Sequence, residues 1–155
     1  MKFTIPLPLQ HEHEALHEQL RLATNISGEV GEAAKALAQL MHPHFVKEDQ
    51  FALPPLGLLA ALARGEWRAE MAEVLALTEQ LEAELPQMLA EHQGIVAALN
   101  TLREAAARTG HRDIVAFAEA LTEHAQTEEE VMYPAALLVG QLVRQRLGQR
   151  VPAAA

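Results

Sequence analysis

The chain has no cysteine, one tryptophan, one tyrosine and only 4% aromatic residues. Without thiols there is no disulfide, no thiolate metal site and no cysteine nucleophile, and any redox compartment is tolerated. Cations are few: Lys plus Arg is 12 against 21 for Asp plus Glu, a net charge of −9. So acidic a chain lacks the basic stripe that neutralises phosphates, which excludes ordinary nucleic-acid binding. No apolar run approaches the roughly 18 residues of a membrane span. Met1 to Gln10 carries one Lys and two prolines with no apolar core, so it does not read as a signal peptide, and the expected location is the cytoplasm. Ser27 is the only serine, and no nucleophile–base constellation is present.

What is abundant is helix-forming. β-Branched residues are scarce, and Ala, Leu, Glu and Gln dominate. A length of 155 residues fits one domain, 1–155, large enough to bury about 70% of its unfolded surface. Residues 1–9, with Pro6 and Pro8, read as an extended arm. A first helix is expected over about Gln10 to Ala23, on the line Leu9, His13, Leu16, Leu20. Ser27 reads as the N-cap of a second, which runs to about Phe51 on Val30, Ala33, Leu37, Met41, His44, Glu48 and Phe51. Leu56 to Gly65 reads as a short helical connection.

A third helix is expected from near Trp67, kinked or split at Pro86, with the stripe Leu85, Met88, His92, Ile95, Leu99, Leu102, Ala106 and a stop at Gly110. The fourth runs from about His111 towards Leu147, bent at Pro134, on Ile114, Phe117, Leu121, His124, Glu128, Val131 and Ala135. The tail Val151 to Ala155 is expected to fray. Four amphipathic helices make an all-α, up-and-down four-helix bundle, core about 9–147, with an extra short helix between the second and third.

Eight histidines are the unusual feature. His44 and Glu48 are four apart on the second stripe, and His124 and Glu128 are four apart on the fourth. Residues so spaced lie on one helix face and converge on one point. The segments HFVKEDQFALP and HAQTEEEVMYP both place Glu four and Pro ten after His. His13 and His92 are 79 apart, and His44 and His124 are 80 apart. The chain therefore reads as two related halves, about 9–55 and 85–142, each giving one lone His and one His–Glu pair to a site on the bundle axis. A lone His on an apolar stripe is ordinarily a hydrogen-bonded core residue. Two Glu on such stripes need a partner, because buried unpaired carboxylates cost several kcal/mol. Imidazole and carboxylate without thiolate suit Fe, Mn, Zn or Cu, with iron the first choice and zinc the second.

At these residues the chain resembles the hemerythrin-like HHE cation-binding domain. The resemblance covers about Leu9 to Leu142 and rests on Glu12-His13, His44 with Glu48, Glu91-His92, and His124 with Glu128. It implies a non-haem di-iron centre bridged by carboxylates and an oxo or hydroxo group, with zinc or manganese as alternatives. It also implies that the protein binds, senses or processes O2, NO or peroxide, or handles iron. By match, His13, His44, Glu48, His92, His124 and Glu128 are the metal ligands. Oxygen-carrying members have HxxxH on the third helix and HxxxxD on the fourth. Here Val96 stands four after His92 and the fourth helix has HxxxE, which speaks against an oxygen carrier. His17, four after His13, is a candidate for the missing imidazole.

Other residues read as bland: His11, His42 and His111 at the surface or in turns, Glu129 and Glu130 as a solvated face, Glu12 and Glu91 as solvated or as acceptors beside ligands. Met41, Met88 and Met132 read as core fillers, and Tyr133 should point away from the site by helical spacing. Neither an acid–base pair nor a substrate pocket is legible, so turnover is not separated from binding. A competing reading is a zinc-stabilised interaction module, with Arg144, Arg146 and Arg150 at a contact surface. Exposed Leu residues and Trp67 suggest a homodimer.

Overall fold

The computed structural model describes residues 2–150; Met1 and the tail expected to fray, Val151 to Ala155, lie outside them. The described residues form an up-and-down bundle of four long helices with no strand among them. The first is α1, Leu7–Ala23, and the second is α2, Glu29–Lys47, continued by a π-helical turn over Glu48–Ala52. A 3-10 turn, Pro54–Leu58, and a short helix α3, Leu59–Ala63, make the connection. The third long helix is α4, Val74–Thr109, entered through a 3-10 turn over Ala69–Glu73. The fourth is α5, Arg112–Thr127, a second π-helical turn over Glu128–Met132, and α6, Tyr133–Arg150.

Several boundaries differ from the sequence reading for identifiable reasons. α1 begins at Leu7, not near Gln10, because Pro6 and Pro8 fall at the N-cap and first turn, where a missing N–H costs nothing. Gly28, not Ser27, caps α2; its φ of 82° turns the chain into the helix, and no side chain caps it. Just inside, Gly31 packs where a Cβ would collide with the Ile26 carbonyl. The third helix starts at Val74, seven residues after Trp67, and Pro86 does not divide it. Pro86 and Glu82, whose carbonyl loses its helical partner there, are both exposed, so water can satisfy that carbonyl. Gly110, with φ of 80°, ends α4 as read.

The apolar core is layered along the bundle. One layer holds Leu16, Leu37, Met41, Phe45, Ile95 and Leu121. The next holds Phe51, Leu53, Leu81, Met88, Met132 and Tyr133. A third packs the connection between α2 and α4, and the start of α4, on α6 through Leu58, Leu62, Val74, Val139 and Val143. The buried polar residues are His13, His44, Glu48, Thr78, His92, His124 and Glu128. All but Thr78 belong to the stripes that also supply the first two layers, and they interrupt those stripes at their middles. No helix among the described residues is long and apolar enough to cross a membrane.

Candidate metal centre

The stripes of all four long helices turn a histidine inward. His44 Nε2 lies 2.8 Å from His92 Nε2, and His124 Nε2 lies 3.0 Å from His13 Nε2. Each contact joins one imidazole from a His–Glu pair to the lone imidazole of the other half of the chain. Glu48 Oε1 sits 3.2 Å from His44 Nε2. Glu128 spans both histidine pairs: Oε1 is 2.8 Å from His124 Nε2 and 3.3 Å from His13 Nε2, and Oε2 is 3.3 Å from His92 Nε2. Two groups result, His44–Glu48–His92–Glu128 and His13–His124–Glu128, all buried, each with ligand-type atoms within 4.8 Å of one another.

The outer ring nitrogens fix which nitrogen faces in. Glu91 Oε2 lies 2.8 Å from His44 Nδ1 and is itself held by Lys47 Nζ at 2.7 Å. Glu129 Oε1 lies 2.9 Å from His92 Nδ1. A carboxylate accepting from Nδ1–H selects the tautomer whose Nε2 lone pair points into the site. Two lone pairs then face each other at 2.8 Å, which a proton or a cation must separate. Glu48 Oε2 is buried and has no hydrogen-bond partner. Inward lone pairs, a carboxylate spanning two histidine pairs and an unpartnered carboxylate oxygen fit a metal site.

A family model described as the hemerythrin HHE cation-binding domain matches residues 8–136. The chain belongs to this family. Comparison with curated proteins and with solved structures finds no match to either. The HHE motifs of the sequence are the residues that the bundle brings together: His13, His44, Glu48, His92, His124 and Glu128 all reach the two groups.

His17 does not join them. It is exposed, and its ring lies tilted against Phe45 with centroids 3.7 Å apart. One turn earlier in α1, His13 reaches an open cleft of about 740 Å³ that is also lined by Phe3, Ile5, Glu14, His17 and Asp49. His11 and His42 are exposed, and Met41, Met88 and Met132 are buried, as read. His111 caps the α4–α5 turn, with Nδ1 2.8 Å from Thr109 Oγ1.

Two residues of the HHE domain contradict the sequence reading. Glu129 is not simply a solvated charge, since it holds His92. Tyr133 does not point away: it is fully buried, and its hydroxyl donates to Glu48 Oε1 at 2.6 Å and lies 3.4 and 3.3 Å from Nε2 of His44 and His92. Ordinary α-spacing turns a residue five after Glu128 away from it. The π-helical turn adds one residue to that turn and brings Tyr133 back onto the same face. The signal was present in the repeat: Pro54 and Pro134 each stand six after the Glu and lack the N–H needed to extend the wider turn.

The electrostatics of the HHE site follow from this packing. Burial lowers the pKa of His44, but Glu48 and Glu91 outweigh it and raise it to about 8. Burial likewise opposes His124, and Glu128 raises it to about 9. Burial raises the Glu48 carboxyl, and the facing Glu128 raises it further against the pull of His44. Burial acts on Glu128 too, yet His124, His13 and His92 together hold it well below the usual range. Burial among Glu48 and Glu128 pushes the Tyr133 phenol far up, so it keeps its proton and acts as a donor. Glu12 Oε1 lies 3.2 Å from His124 Nδ1 without hydrogen-bond alignment, which leaves that nitrogen unsatisfied.

Proposed function

We propose that this domain holds two iron ions and binds or processes a small oxygen or nitrogen species, of the class of O2, NO or peroxide. The observation that carries the reading is the placement of Glu128, one oxygen with His13 and His124 and the other with His92. Such a carboxylate would hold a cation with each of its two oxygens. Mixed imidazole and carboxylate donors without thiolate, set in a helical bundle, suit iron, with zinc or manganese as alternatives. His13, His44, Glu48, His92, His124 and Glu128 are the ligands in this reading. Iron there would supply reversible electron transfer and open coordination for a diatomic or peroxide ligand.

The residues around it have separable tasks. Glu91 and Glu129 orient imidazoles and raise their basicity. The Phe45, Ile95 and Leu121 layer keeps bulk water from one side, and Phe51, Met88 and Met132 from the other. The cleft at His13 supports access for a small molecule from that side.

The test is anaerobic reconstitution of the metal-stripped chain with ferrous iron, elemental counting of bound metal, and spectra before and after exposure to air or NO. Two irons per chain and a spectral change are expected. Fewer than one iron per chain overturns the reading, and tight zinc with no iron uptake moves it to a zinc-stabilised module.

A further inference from the structure

Both His–Glu helices leave α-helical register at the same point of the repeat. The Leu53 N–H bonds the Glu48 carbonyl, and the Tyr133 N–H bonds the Glu128 carbonyl. In each half the fifth residue after the Glu closes the turn and is completely buried, Leu53 in one and Tyr133 in the other. The six ligand-type residues repeat, but this position does not. The chain's single tyrosine stands where the other half has a hydrocarbon. Its hydroxyl crosses to Glu48 Oε1 at 2.6 Å, on the opposite helix, and leaves Glu48 Oε2 without a partner.

We propose that Tyr133 is a positioning residue that commits Glu48 to the cation position built by His44 and His92, and that Leu53 leaves the position at His13 and His124 without this lock, so the two cations bind unequally and in order. This rests on the two-cation reading above. Two further asymmetries point the same way. The His44–His92 position has four donor residues and a carboxylate in hydrogen-bond contact behind each imidazole. The His13–His124 position has three, His124 Nδ1 lacks a hydrogen-bond partner, and His13 faces the open cleft. A carboxylate held by a phenol loses its freedom before the cation arrives, with Oε1 beside His44 Nε2 and Oε2 buried and unpartnered. No proton needs to move: the phenol keeps its hydrogen and its bond to Oε1.

The test is a cobalt(II) titration of the metal-stripped full chain and of Tyr133→Phe. It follows the visible absorption of bound cobalt and the near-ultraviolet absorption of the only tyrosine. The wild type is expected to fill in two steps, with the tyrosine signal changing in the first alone. In Tyr133→Phe the first step should weaken about 10- to 100-fold, as when an outer partner of a metal ligand is removed, and the second should not move. Equal weakening of both steps, or an unchanged first step, overturns the proposal. Should Tyr133→Phe fail to fold, the wild-type tyrosine signal still decides: a change in the second step, or none, overturns it. If the wild type binds no cobalt, the two-cation reading falls as well.

Discussion

His44 and His92 meet Nε2 to Nε2 at 2.8 Å, each backed by a carboxylate on Nδ1. Two buried imidazoles in this arrangement compete for one proton or share one cation. The metal-free chain and the loaded chain are therefore expected to behave oppositely in several measurements.

The first concerns pH. His44 and His124 have folded pKa values of about 8 and about 9, above the ordinary 6.5. A raised histidine stabilises the fold fully below its unfolded value, and the contribution is lost as pH rises through the folded value. Melting of the chelator-treated protein should therefore fall as pH climbs from 6.5 to beyond 9, and His124→Asn should flatten that slope. With metal present the trend should reverse, because protons and cations compete for the same nitrogens. A chelator-treated protein that gains stability over this range would contradict the pairing.

A second expectation separates the shared ligand from the unshared ones. Glu128→Gln should remove both cations, whereas His13→Ala should remove one and keep the other. His44→Ala and His124→Ala should lose metal and melting temperature together, since a ligand at a hundredfold excess over its Kd stabilises by about 2.7 kcal/mol. Elemental analysis and calorimetry on the same samples check this. Full occupancy in Glu128→Gln would rule out its bridging place.

The outer carboxylates make a third. Glu91→Gln and Glu129→Gln should each weaken cation binding about 10- to 100-fold. Both residues are partly exposed, so the melting of the metal-free protein should change far less. His17→Ala, by contrast, should leave the cation count intact, since His17 stands outside both groups. A lost cation in His17→Ala would make it a ligand in the loaded state.

A fourth expectation lies away from the site. Gly31→Ala would drive a methyl group into the Ile26 carbonyl and should cost about 1–3 kcal/mol, read by denaturant melts. Gly94→Ala, with open space around it, is the control and should be neutral or stabilising.

The stripes were legible because a histidine or glutamate on an otherwise apolar helical line is costly without a partner, and the line locates it. Leu37, Met41, His44, Glu48 and Phe51 all lie buried along one face, as the spacing required. Tyr133 was not legible because a 3.6-residue period was carried through a segment that has a wider turn. Glu129 was misread because composition made it one more member of an acidic run, and a single-helix period does not register the carboxylate's contact with His92 on another helix. The early start of α1 and the late start of α4 were hidden by local contests between proline, capping and 3-10 geometry, which periodicity does not register.

Neither hairpin of this bundle owns a complete cation position. Glu128, from the second, serves both groups, and both imidazole–imidazole contacts at the centre cross from one hairpin to the other. Bound ions would thus act as rivets between the two halves of the chain. A polypeptide cut within the α3–α4 connection could stay assembled with metal and drift apart when a chelator draws it out.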